Sequence, residues 1–246
     1  MPDALQPADD RFRVFPQFND PALAEHARSK QRVGALVHAL FTGDRLPDRF
    51  ARALAERRAI NLKELLESFE LYERVRKRVR AKHVVDLCCG HGLTGLLFAL
   101  GERSVEQVFL VDQRRPASFD GILAAAVSVA PWVAEKVRFL EMSVEDAAPS
   151  LPRGATVLGV HACGSRTDLC IDVAEQLGGA VALMPCCYRS AKREGPAALY
   201  HQLGRALAVD IHRTYRLERL GLKVDWSAVP RAVTPMNRVM IGWQPE

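Results

Sequence analysis

The chain of 246 residues has no apolar run near the ~20 residues that a membrane-spanning helix needs. Its first residues, MPDALQPADDRFRVF, lack the charged-then-apolar pattern of a secretion signal, so a cytoplasmic location is expected. None of the six cysteines stands in a C-x-x-C pair, which excludes a zinc ribbon or a thioredoxin-like motif. In a reducing cytoplasm they are expected as free thiols. Internal repeats and low-complexity tracts are also missing, which excludes solenoids and linker-dominated chains. What remains is a chain with 48% hydrophobic residues, enough for one large domain or one domain with an extension. Its net charge of +5 is a mild bias towards anionic partners.

The stretch that organises the chain is Val84 to Gly95, VVDLCCGHGLTG. A short apolar run ends in Asp86, a glycine-bearing turn follows, and an apolar helix opens at about Leu93. Strand, tight turn and helix together read as the opening of a nucleotide-binding α/β unit. Gly90 and Gly92 allow a sharp turn and a close approach to a ligand, and the amides opening the helix add partial positive charge. Two ligand classes use such a turn, and a turn without a ligand is the third reading. Gly90-x-Gly92-x-x-Gly95 matches the dinucleotide pattern literally. The longer phrase Asp86-x-Cys88-x-Gly90-x-Gly92 resembles the first motif of class I S-adenosylmethionine (SAM) methyltransferases, with Cys88 in place of the first glycine. Asp112 ends the run VFLVD, 22 residues past Gly90, where both classes place the carboxylate that grips ribose hydroxyls.

Periodicity predicts helices from about Pro21 to Phe41, from Pro47 to Arg58 and from Leu62 to Arg80, a helical extension over residues 1–80. Strands are expected at Val84–Asp86, Val105–Asp112, Val137–Met142, Thr156–His161 and Ala180–Met184. Helices at Phe119–Ala130 and Arg166–Gln176 alternate with them, and a longer helix starts near Pro196. Strands at Leu222–Val229 and Arg238–Trp243 close the chain, and their short connection predicts an antiparallel hairpin. The expected fold is α/β, a seven-stranded Rossmann-like sheet over residues 81–246. Seven strands ending in a hairpin resemble the class I methyltransferase plan, whereas a dinucleotide domain ends on a parallel sixth strand.

The ends of strands one, four and five read DLCCGHG, VHACGSRTD and LMPCCY. In the strand order of the class I methyltransferases that the chain resembles, these three strands are neighbours, which implies that Cys88, Cys89, His91, His161, Cys163, Cys186 and Cys187 gather at one rim. Small packing residues, a metal site and a reactive thiol are the three readings of that rim, and no metal is expected. VHACGSRTDLCIDVA, VALMPCCY and the later VTPMNRVMIG resemble a methyltransferase family with H-x-C-G-x-x-T-D, Pro-Cys-Cys and T-P-x-N motifs. That family includes eukaryotic tRNA ribose 2′-O-methyltransferases. The resemblance covers about Lys63 to Trp243. The chain departs from it at Cys88, usually glycine, and at His91, often basic. No lysine-rich tetrad of other ribose methyltransferases is evident.

The resemblance implies SAM as cofactor, with Asp86, Cys88, Gly90, Gly92, Asp112, Ser143, Val144 and His161 as the binding candidates. His161, Asp168 and Tyr188 are the candidates for positioning the acceptor and moving its proton. Asp168 is expected to orient His161, hold an amine or cap the helix after it. RNA, such as tRNA or rRNA, is the favoured acceptor. A protein or small-molecule acceptor and a non-catalytic SAM- or RNA-binding adaptor are the alternatives. The basic run Arg74, Arg76, Lys77, Arg78, Arg80 and Lys82 reads either as a solvated helix end or as a patch for RNA phosphates. No membrane association is expected, and no obligate protein partner can be inferred.

Overall fold

The computed structural model describes residues 10–34 and 38–245. Seven strands form one sheet: β1 (His83–Leu87), β2 (Gln107–Asp112), β3 (Val137–Glu141), β4 (Thr156–Val160), β5 (Val181–Met184), β6 (Lys223–Ala228) and β7 (Arg238–Trp243). The order across the sheet is β3-β2-β1-β4-β5-β7-β6. β1 lies parallel between β2 and β4, so the strand order reverses beside β1. β7 enters antiparallel between β5 and β6, and the short connection closes the expected hairpin.

Alternate residues of these strands feed two cores, because both faces of a parallel sheet are covered. Val84, Val108, Leu110 and Leu158 belong to one core, and Val85, Phe109, Val111 and Val157 to the other. On the first face lie α1 (Leu46–Glu56), α2 (Leu62–Val75), α3 (Leu93–Gly101) and α4 (Ser118–Val129). The other face is covered by α5 (Ser165–Leu177), and by α6 (Ala197–Arg219) through Leu217. Phe12, Phe15, Phe18, Phe50 and Phe69 share the first core with Val84 and Leu110, so the helices before β1 are continuous with the sheet's own packing. The rings of Phe15 and Phe69 meet edge-on at 5.0 Å.

Two expectations about the N-terminal helices need correcting. The helix drawn from Pro21 to Phe41 is one turn, Pro21–Ala24, followed by a 3₁₀ turn, Glu25–Arg28. Beyond it the backbone pairs with the start of α2. Val33 N–H donates to Ile60 C=O at 2.8 Å and Lys63 N–H to Ser29 C=O at 3.1 Å. Those bonds use groups that a helix would need, and tertiary pairing overrides propensity. Residues 35–37 of that stretch, and 1–9 of the N-terminus, lie outside the described residues.

The helix drawn to Arg80 ends at Val75. The chain then turns so that Val79 is buried and its carbonyl accepts from Thr156 Oγ1 at 2.7 Å, which aims it into β1. The basic run is therefore mostly turn, and helical spacing does not set its faces. Arg74 is buried against Glu70. Arg76 pairs with Glu73 at 2.8 Å and Glu102 at 3.1 Å. Arg78 pairs with Asp225 at 2.5 Å, and Lys82 with Glu106 at 2.9 Å.

Candidate cofactor and acceptor site

The site begins with the β1–α3 turn. Asp86 at the end of β1 is 1% exposed, and its Oδ2 accepts from Gly95 N–H at 2.9 Å. Its Oδ1 is buried without a partner. Burial, helped by the Asp112 charge, pushes the Asp86 carboxyl up to about 7 against the opposing pull of Gly95 N–H and His161. Cys89 N–H donates to Val111 C=O at 3.1 Å and Gly90 N–H to Asp112 Oδ2 at 2.9 Å, which ties the turn to the end of β2.

The glycines of the turn differ in what they do. Gly90 has φ +52, and a Cβ there would meet nothing within 4 Å, so it faces open space. Gly92 has φ +72, and a Cβ there would lie 2.7 Å from Leu110 Cδ1. The room at Gly92 thus serves helix-on-strand packing. Cys88, where the resembled family has glycine, keeps the left-handed backbone at φ 54. A hydrogen bond from Cys170 holds its thiol below the ordinary value, although burial and Asp112 act the other way.

Two cavities open at the C-terminal ends of the strands and share Cys88 as a wall. One, about 120 Å³, is lined by Asp112, Met142, Val144, Arg166 and Leu169 among others. The other, about 200 Å³, is lined by Glu64, Glu67, Asp86, Gly90, His91 and His161 among others. Asp86, Cys88, Gly90, Asp112, Val144 and His161 of the expected cofactor set therefore line one or both cavities. Gly92 stands behind them in the packing, and Ser143 Oγ is hydrogen-bonded to Asp146 Oδ2 at 2.7 Å. A third and larger cleft, about 600 Å³, lies at the opposite ends of the strands beside Lys77, Arg78, Arg80 and Trp243.

His161 leaves β4 in the left-handed region, φ 58, and its N–H donates to Met184 C=O at 3.0 Å. Its ring Nε2 lies 2.8 Å from Glu67 Oε2. The same oxygen accepts from Lys63 Nζ at 2.7 Å. Burial disfavours the Glu67 anion, but the hydrogen bonds and charges of His161 and Lys63 outweigh it and hold the carboxyl below its usual value. Glu67 Oε1 is buried without a partner. His91 accepts from Leu93 N–H through Nδ1 at 3.2 Å, and its Nε2 lies 3.6 Å from Glu64. Burial lowers its pKa.

Sequence reasoning missed Glu67. Its signal was a carboxylate among Leu65, Leu66 and Phe69 on the apolar side of α2. Nothing local could couple it to a histidine 94 residues away.

Asp168 and Tyr188 are engaged elsewhere. Asp168 gives both oxygens to the buried Arg213, at 2.9 and 3.0 Å, and the expectation that it orients His161 is corrected in favour of Glu67. The cause is the direction of the two elements: α5 carries Asp168 towards α6, while the turned backbone at His161 carries the ring towards α2. The Tyr188 hydroxyl donates to Asp210 Oδ2 at 2.6 Å and is buried. Burial and Asp210 both push its pKa up, so it is not poised to take a proton.

The expectation of six free thiols is also corrected. Cys163 and Cys186 form a disulfide, with Cα atoms 5.9 Å apart. β4 and β5 are paired neighbours, and the bonds His161 N–H to Met184 C=O and Gly164 N–H to Cys187 C=O bring the two cysteines into bonding range. Cys187 stands within 4.8 Å of both sulfurs, the one cluster among the described residues with metal-ligand spacing.

A 3-2-1-4-5-7-6 sheet with a glycine turn after β1 and a carboxylate ending β2 defines a class I methyltransferase. Residues 59–194 match a family model described as a methyltransferase domain, and the chain belongs to that family. Its reaction class is accordingly methyl transfer from SAM. No curated protein matches the sequence. Among solved structures, the methyltransferase domain of bacterial CtHen1 superposes with a TM-score of 0.50 at 13% identity, over 73% of this chain and 97% of that one. A Klebsiella pneumoniae protein assigned to the O-methyltransferases superposes with a TM-score of 0.51 at 15% identity, over 86% and 94%. At such identities the likeness is one of fold. Among the described residues no helix is long and apolar enough to cross a membrane.

Proposed function

We propose that this protein methylates RNA, with the SAM adenosine end in the Asp112 cavity, its methionine end along the β1–α3 turn and the acceptor beside His161. The observation that carries this reading is the pair of cavities meeting at Cys88, one lined by Asp112 and the other by His161. The residues fit the cofactor. Asp112 offers a carboxylate to ribose hydroxyls, and Met142, Val144 and Leu169 offer apolar contact to a base. Gly90 leaves open space at the turn, and Asp86 Oδ1 is an unmatched acceptor on the side where a cationic end would lie. SAM supplies a methyl group on a positively charged sulfur. The chain's own residues hold the acceptor in line with it, exclude water and take up the acceptor's proton, the last through His161.

The RNA part of the reading rests on exposed cations at the same rim. Arg166 borders the cofactor cavity, and Arg189 and Lys192 follow β5, each exposed. By contrast, the arginines at Arg74, Arg76 and Arg78 are held in ion pairs at the far ends of the strands. A protein amine is the second acceptor reading, favoured by Glu64 and Glu67 in the wall of the acceptor cavity.

Incubation with labelled SAM and fractionated cellular RNA, protein and metabolites tests the proposal. Label is expected in RNA, and label confined to protein would transfer the reading to the amine. Replacing Arg189 and Lys192 with Glu is expected to weaken RNA binding and to reduce its salt dependence by about one unit of log–log slope per lost phosphate contact. SAM affinity should be unaffected, and an unchanged salt slope would remove these residues from the RNA path.

A further inference from the structure

The second cavity contains a charged assembly on its acceptor side. Glu67 comes from α2, His161 from the end of β4, and they meet at 2.8 Å. Lys63, one turn before Glu67, binds the same carboxylate oxygen at 2.7 Å. A buried carboxylate needs a cation, and Lys63 already supplies one. The contact with His161 is thus additional to what charge balance requires. His161 also reaches it from a left-handed backbone that a β-carbon disfavours.

Building on the methyl-transfer reading, we propose that Glu67 is a positioning residue. Its carboxylate fixes His161 with the proton on Nε2, leaves Nδ1 as the basic nitrogen, and stabilises the imidazolium formed when Nδ1 takes the acceptor's proton. As the acceptor heteroatom forms its bond to the methyl carbon, the carbon–sulfur pair leaves with sulfur. The acceptor's proton passes to His161, which returns it to water after product release. Lys63 keeps Glu67 ionised while His161 is neutral, so the pair is ready before the acceptor arrives. Glu67 Oε1, buried and without a partner at the cavity wall, remains to accept a second donor from the acceptor.

Other charged and titratable groups face His161. Asp86 approaches from β1, His91 from the turn and Glu64 from α2, in the same cavity. None of these is hydrogen-bonded to the His161 ring among the described residues, and Glu67 is.

The test is a pH titration of the histidine ¹⁵N resonances in the full chain without SAM, the His161 signals being assigned with a His161→Gln variant. In Glu67→Gln the His161 proton affinity should fall, because its imidazolium loses the hydrogen-bonded carboxylate, the Nε2–H form should lose its dominance, and the melting temperature should report whether the fold is kept. Glu67→Asp, which keeps the charge on a shorter stem, should give the same change in smaller degree and serves if the Gln variant does not fold. In the labelled-SAM assay, on whichever fraction accepts label, Glu67→Gln should lower kcat at least tenfold with the KM for SAM unchanged. The acid limb of its pH profile should move to lower pH. Unaltered His161 titration in folded Glu67 variants, or an unaltered kcat, overturns the proposal. If no fraction accepts label, methyl transfer is what fails, and the titration alone then decides whether Glu67 controls His161.

Discussion

Asp86→Asn isolates one buried carboxyl whose titration is linked to folding. In the folded chain the Asp86 carboxyl titrates at about 7, against an ordinary 3.8. That gap of about three pH units corresponds to about 4 kcal/mol at ~1.4 kcal/mol per unit. Because the folded value is the higher one, the folded chain holds the proton more tightly. Stability linked to this group is full below pH 3.8 and is lost as pH rises towards about 7. From pH 5 to 8.5 the remaining loss is about 3 kcal/mol.

Asparagine nearly matches the protonated acid in shape and keeps an oxygen for Gly95 N–H, but it does not ionise. Its NH₂ group falls where Oδ1 has no partner, which adds a constant cost of about 1–3 kcal/mol. Urea denaturation of both proteins without SAM, at pH 5 and pH 8.5, gives the stability of each. The difference should shift in favour of the variant by about 3 kcal/mol on going to pH 8.5. Titratable groups other than Asp112 and His161, whose charges act on Asp86, are common to both proteins and cancel. A difference that is flat with pH would mean that Asp86 ionises normally and that its burial is compensated.

Asp112→Ala should weaken SAM binding by about 1.5–3 kcal/mol, roughly 10- to 150-fold, because a charge-assisted contact is lost. Calorimetry with SAM, S-adenosylhomocysteine and NAD measures this, and tighter binding of NAD than of SAM would overturn the cofactor. Gly92→Ala should cost about 2–4 kcal/mol of stability, since it combines a left-handed backbone with overlap on Leu110. Thermal melts check it, and an unchanged melting temperature would mean that Leu110 gives way freely. Arg213→Ala should cost about 3–5 kcal/mol, because Asp168 loses both its bonds and the Gly164 carbonyl its donor. A chemical denaturation midpoint within error of the unmodified chain would assign no structural weight to that pair.

The strands and the closing hairpin were legible because their signals are local, whereas the order across the sheet came from the resemblance to the class I methyltransferase plan. Apolar runs of strand length alternate with helical periods, and the last two are joined too closely for a parallel crossover. The turn was legible for the same reason: Gly90 and Gly92 stand where the backbone turns with positive φ, at 52 and 72. Helix limits that depended on partners far along the chain were not legible. The stretch after Arg28 pairs with the start of α2, and the chain turns after Val75 to bury Val79.

The acceptor side of the site divides in the same way. By itself the sequence determined the α/β plan and the glycine turn after β1, because both follow from spacing along the chain, while the gathering of His161 and the cysteines at one rim followed from the strand order of the family that the chain resembles. Only the tertiary structure decided what those side chains touch. It joined Cys163 to Cys186 across β4 and β5, gave Asp168 to Arg213 and Tyr188 to Asp210, and brought Glu67 to His161. A hydrogen bond is directional and extends about 3 Å, so its partner depends on where the folded backbone aims each side chain. That aim is set by how α2 and α5 dock on opposite faces of the sheet.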